Sequence, residues 1–160
     1  MIQEPVLIKA GAPAPDFEGI TDEGKKWRLR EQAGKYVVLL FYPKDFTPGC
    51  TSELKGIKNL DPMVIPQNVE IVGVSRDKPS SHRKFRERLG FPYTLISDES
   101  GEICRKYEAL AFWGLPKRKT FIISPEGYII RIYNKVKPAT HYKEILAFLR
   151  NIKAIEQIEK

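Results

Sequence analysis

The sequence predicts an α/β fold built on a central mixed β-sheet flanked by helices, and three observations predict it. Apolar runs rich in β-branched and aromatic residues alternate along the chain with stretches whose apolar residues recur at helical spacing. The run YVVLLFY at 36–42 is continuous rather than alternating, the pattern of a central strand covered on both faces. Two later strand-like segments, 120–124 and 128–133, are joined by Pro125-Glu126-Gly127, a hairpin signal that adds antiparallel pairing to parallel crossovers.

The elements follow in order. Residues 1–35 are rich in Pro, Gly and charge, and the Thr21-Asp22-Glu23-Gly24 turn separates short extended pieces into a small N-terminal β-hairpin. The strand 36–42 is stopped by Pro43. A helix starts near Pro48–Cys50, carries Leu54, Ile57 and Leu60 on the same side as Cys50, and breaks at Asp61-Pro62. Val69–Ser75 reads as a second strand. Pro79–Leu89 reads as a helix with Gly90 as its C-cap. Tyr93–Ser97 is a third strand, and Glu102–Tyr107 a short helix with Ile103, Cys104 and Tyr107 facing the core. The loop 108–118 carries Phe112 and Trp113, aromatics that could line the pocket, form a subunit contact or, as the commoner outcome, cap the core. After the hairpin, a last helix covers about 142–152 and ends in a charged tail expected to fray. His82 and His141 read as surface helix residues without a role. Repeats and linkers are absent, so one domain is expected over 1–160, with its core at about 6–150.

Composition narrows the function classes. With 160 residues, 42% of them hydrophobic, the chain suits a packed domain rather than a disordered or fibrous protein. The longest apolar run is far short of the ~20 residues that cross a bilayer. The N-terminus lacks the apolar stretch of a secretory signal, so no membrane partner and a cytoplasmic location are expected. Twenty-seven Lys and Arg against 20 Asp and Glu give a net charge of +7. The basic residues are scattered or interrupted by Phe85 and Leu89, as on the wet face of an amphipathic helix, and no nucleic-acid partner is expected. Two cysteines do not make a disulfide framework. Neither they nor the two histidines show metal-ligand spacing, so no metal or cofactor is expected.

Cys50 is the position where chemistry concentrates. It follows the strand end and the bending residues of FYPKDFTPGC, in the first turn of the predicted helix. Open strand ends and helix N-termini are where α/β proteins place ligands and reactive groups. Backbone N–H groups there lack intrahelical partners and the helix dipole is positive, so a thiol is biased toward thiolate, the nucleophilic form. Thr47 offers a hydroxyl three residues earlier, and Pro43 and Pro48 stiffen and shield the loop. Glu53, one helical turn after Cys50, brings a carboxylate that calls for a cation from elsewhere in the chain. A buried, inert cysteine is the competing reading of the same residue.

These residues resemble a known family. Phe41-Tyr42-Pro43, Thr47, Cys50-Thr51 and Glu53 together are similar to the active-site signature of peroxiredoxins, closest to the peroxiredoxin Q branch, also called bacterioferritin comigratory protein. Further matches are Gly11, Ala14-Pro15 and Phe17, then Val72–Ser75, Leu95–Asp98, Arg118–Ile123 and Gly127, over about residues 6–150. The resemblance implies a thioredoxin-like fold and a thiol peroxidase that reduces hydrogen peroxide and organic hydroperoxides, in antioxidant defence and redox homeostasis. It assigns Cys50 as the peroxidatic nucleophile, Thr47 and Arg118 as its partners on the peroxide, and Pro43 as the shield of the thiolate. Arg118 would also be the cation that Glu53 requires. A thiol reductant such as thioredoxin would recycle the sulfenic acid, and a monomer or homodimer is expected. Many members carry a resolving cysteine five residues after the peroxidatic one; here that position is Lys55. Cys104 is then the candidate resolving residue, against a buried structural thiol and a single-cysteine cycle. A non-catalytic thioredoxin-like binding module or holdase is the alternative of a different class.

Overall fold

The computed structural model describes residues 7–158. Among these, the elements run β1 (Glu18–Thr21), β2 (Lys26–Arg28), a 3-10 turn (Leu29–Gln32), β3 (Tyr36–Phe41), α1 (Pro48–Lys58), β4 (Val69–Ser75), α2 (Pro79–Leu89), β5 (Thr94–Ser97), α3 (Glu102–Lys106), β6 (Lys119–Ile123), β7 (Ile129–Tyr133) and α4 (His141–Ile158). The strands form one mixed sheet in the order β2-β1-β5-β4-β3-β6-β7. β3, β4 and β5 are parallel, and β6 and β7 add antiparallel on the far side of β3. The N-terminal hairpin β1–β2 pairs antiparallel onto β5.

The continuous apolar run is explained by what covers it. Val38, Leu40 and Tyr42 face a core shared with Cys50, Leu54 and Ile57 of α1, Phe85 and Leu89 of α2, and Ile145 and Leu149 of α4. Val37, Leu39 and Phe41 face a second core with Phe17, Trp27, Ile103, Cys104 and Tyr107. Burying side chains of this kind stabilises by about 1.5–3 kcal/mol each before entropy is counted. The two parallel crossovers turn the same way, so α1 and α2 share one face. The C-terminal ends of β3 and β4 therefore open together beside the start of α1.

Several boundaries match the sequence reading. Helix α2 spans the predicted residues, and Gly90 caps it in the left-handed conformation with φ 64°. Other expectations are corrected. The final helix does not fray after residue 152 but continues to Ile158. His82 and His141 are not surface residues: both are fully buried. Phe112 and Trp113 do not cap the core: they are 97% and 65% exposed and pack edge-to-face on each other.

Candidate active site

The segment Tyr42–Thr47 leaves the end of β3 and delivers Cys50 to the first turn of α1. Thr47 is the N-cap residue and Pro48 opens the helix, where its missing N–H costs nothing. Thr51 N donates to Thr47 O at 2.9 Å. By helix geometry the Gly49 and Cys50 N–H groups have no intrahelical acceptor, so they are available to an anion at the helix tip. The Thr47 hydroxyl donates to Lys44 O at 2.8 Å, which spends its proton and leaves its oxygen lone pairs as acceptors. Cys50 is fully buried in the α1–α2–α4 core, and Pro43 is half-buried before it.

Arg118 arrives from the residue before β6 and lies across this turn. A Cβ placed on Gly49 would sit 3.0 Å from Arg118 Nη2 and 3.7 Å from Cζ. Arg118 Nη1 donates to Glu53 Oε2 at 2.7 Å. The cation demanded by Glu53 is thus Arg118, 65 residues away in sequence. Burial opposes the guanidinium's charge, but Glu53 and Cys50 both favour it, and the net direction of its pKa is upward. Glu53 is the partner that yields. Its carboxyl is 1% exposed, Oε1 has no hydrogen-bond partner, and burial pushes its pKa up to about 7 against the opposing pull of Arg118.

Cys104 lies elsewhere. It faces the second core, on the opposite side of the sheet from Cys50. Its backbone N donates to Asp98 Oδ2 at 2.9 Å, and burial, reinforced by Asp98, drives its thiol well above the ordinary range. A thiol in that state is a poor nucleophile. Arg118 joins Glu53 and Cys50 at the tip of α1, where Thr47 is the N-cap; Pro43 lies in the loop before it, and Cys104 is separated from them by the sheet.

The sequence reading missed a buried polar cluster behind the same loop. Asp45 accepts from Tyr42 Oη at 2.6 Å, from Ser81 Oγ at 2.8 Å, and lies 2.8 Å from His82 Nδ1. Asp45 N donates to Asp77 Oδ2 at 2.9 Å. A signal for His82 was present: positions 82, 85 and 89 share one helix face, and Phe85 and Leu89 are apolar. Asp45, Asp77 and His82 place possible ligand atoms within 4.8 Å of one another. Both Asp45 oxygens, Asp77 Oδ2 and both His82 nitrogens are already engaged by hydroxyl, backbone and ring partners. Between Asp45 and Thr47, Phe46 has φ 64°, a left-handed conformation that costs a bulky residue about 1–2 kcal/mol. Its ring packs on Phe85 of α2 at 5.0 Å.

Comparisons with known proteins show the family of the chain. The model of the AhpC/TSA family matches residues 10–132. Peroxiredoxin Bcp of Bacillus subtilis is 36% identical over 157 residues, covering 92% of this chain and 98% of that protein. Peroxiredoxin Bcp of Xanthomonas campestris is 38% identical over 134 residues, covering 79% of this chain and 84% of that protein. Among solved structures, the bacterioferritin comigratory protein of Xanthomonas campestris superposes with a TM-score of 0.78 at 34% identity, over 84% of this chain and 90% of that one. Mycobacterium tuberculosis BcpB superposes with a TM-score of 0.81 at 30% identity, over 91% and 99%. With its mixed sheet, its helix-tip cysteine and these relatives, the chain belongs to the AhpC/TSA family, among the thioredoxin-fold peroxiredoxins of the Bcp and Q type.

Proposed function

We propose that Cys50 is the nucleophile of this thiol peroxidase, with Thr47 and Arg118 binding the peroxide and Pro43 screening the sulfur. The thiolate lone pair attacks one peroxide oxygen, an S–O bond forms and the O–O bond breaks. The other oxygen leaves with the electron pair, takes a proton and departs as water or an alcohol. Charge spreads along the breaking O–O bond, where the Arg118 guanidinium and the free N–H groups of the α1 tip meet it without reorganising. The Thr47 oxygen accepts from the peroxide O–H. Glu53 acts at one remove by fixing the guanidinium over the turn.

The observation that carries the reading is the clasp of Arg118 between Glu53 and Gly49, which sets a cation beside the helix tip that holds Cys50. The Xanthomonas campestris relative has alkyl peroxide reduction activity. Organic hydroperoxides as well as hydrogen peroxide are therefore the substrate class here. The cycle uses one cysteine of this chain: Cys104 is across the sheet, and Lys55 stands five residues after Cys50. The sulfenic acid is reduced by an external thiol, thioredoxin or a comparable donor, in a reducing cytoplasm where Cys104 stays free.

Peroxide turnover with a dithiol reductant tests the assignment. Cys50→Ser abolishes it; full turnover in that variant refutes the nucleophile. After stoichiometric peroxide without reductant, the intact protein gains one oxygen atom. Loss of two hydrogens instead would restore Cys104 as the resolving residue.

A further inference from the structure

We propose that His82 is a positioning residue that clamps Asp45 and with it the Pro43–Thr47 segment that presents Thr47 and Cys50. Its contacts lead there. His82 Nε2 lies 3.1 Å from Ile96 O, an acceptor that has no proton to give. Ser75 Oγ is 3.4 Å from the same nitrogen, but its proton is directed to Asp77 Oδ2. On the other side, Nδ1 lies 2.8 and 3.0 Å from the two Asp45 oxygens. Tyr42 Oη is 3.3 Å from Nδ1, yet its shorter bond, 2.6 Å, goes to Asp45 Oδ1. Both ring nitrogens are therefore engaged, Nε2 with Ile96 O and Nδ1 with Asp45, which fixes the ring between the sheet and the loop.

The surroundings hold that arrangement. Asp45 takes hydroxyl donors from Tyr42 and Ser81 and faces the ring as well, so three side chains fix one carboxyl group. Burial, and then the charge of Asp45, hold the Tyr42 phenol well above its usual range, so it stays a donor. Asp77 supplies a second carboxylate within 4.8 Å of the ring and receives Asp45 N. The groups facing His82 are thus Tyr42 from the end of β3, Asp45 from the loop, Ser75 and Asp77 from the end of β4, Ile96 from β5, and Ser81 from its own helix. All of them pin the residue next to Phe46, whose left-handed backbone needs to be held from outside. Removing the clamp lets Phe46 relax and moves Thr47 and the α1 tip off the geometry the reaction needs.

The inference rests on the peroxidase reading, which the Cys50→Ser comparison tests separately. In kinetics, Asp45→Asn and His82→Phe each slow the reaction of Cys50 with peroxide about 100-fold, as a misplacement of about 1 Å does. The double variant is no slower than the slower single one, because one device is lost only once. Alkylation of Cys50 by iodoacetamide, which needs the thiolate but no peroxide held at Thr47, slows far less than the peroxide reaction. A folded single variant with an unchanged peroxide rate, or equal slowing of peroxide and iodoacetamide, refutes positioning.

Discussion

Replacing Glu53 by Gln separates the charge of this buried carboxyl from its shape. Gln has the size of the protonated acid, keeps an oxygen for Arg118, and does not titrate. In the folded protein the Glu53 carboxyl titrates at about 7 against an ordinary 4.5, because burial outweighs the Arg118 bond. Between these pH values the folded state holds a proton that the unfolded state has released. Stability therefore falls as pH rises through this window and levels off above about 7, the reverse of a carboxylate whose pKa is lowered on folding. The difference between about 7 and 4.5, at about 1.4 kcal/mol for each pH unit, makes the loss about 3 kcal/mol. For a chain of this length that corresponds to about 6–12 °C in melting temperature. The assay is thermal unfolding of both proteins from pH 4.5 to 9, reading the difference in Tm at each pH. That subtraction removes the contribution of every other titrating group. Glu53→Gln gains on the unaltered protein by about this amount between pH 5 and 8, with no further change at higher pH. A flat difference would mean that Arg118 keeps Glu53 ionised throughout, and that the carboxylate is no reservoir for a proton beside the site.

Two further substitutions probe the site without removing its chemistry. Gly49→Ala puts a methyl 3.0 Å from Arg118 Nη2, so the guanidinium must shift by a few tenths of an ångström while every functional group remains. The peroxide rate falls about 10-fold, within the range that small misplacements produce, while Tm holds or rises because Ala suits a helix better than Gly. An unchanged rate would remove Arg118 from the reacting geometry. Cys104→Ala leaves peroxide turnover with an external thiol unaltered and lowers stability by about 1 kcal/mol, the ordinary cost of a small core truncation. Lost turnover in a folded Cys104→Ala protein would overturn the single-cysteine cycle. In the native protein Cys104 resists iodoacetamide, since burial and Asp98 keep it as the thiol.

Local signals sufficed where the deciding interactions lie a few residues apart. The α2 boundaries followed from Pro79 and Gly90, the β3 strand from its unbroken apolar run, and the placement of Cys50 from Thr47-Pro48-Gly49 ahead of a helical stripe. The resemblance supplied Arg118 and Thr47, and Glu53 by itself announced a missing cation.

What the sequence by itself determined, then, was the alternation of elements and the helix tip that holds the thiol, because period, caps and turn residues act within one or two turns of chain. Tertiary structure decided which sheet face each cysteine occupies, and so that Cys104 stands apart from Cys50. It also decided that His82 is enclosed by Tyr42, Asp45, Ser75 and Ile96, residues from two strands and the segment that follows β3. Those outcomes depend on the strand order and on both crossovers turning the same way, which bring together groups up to 40 residues apart. A buried polar network is stable only when every donor finds its acceptor, and that matching exists only once the sheet has assembled.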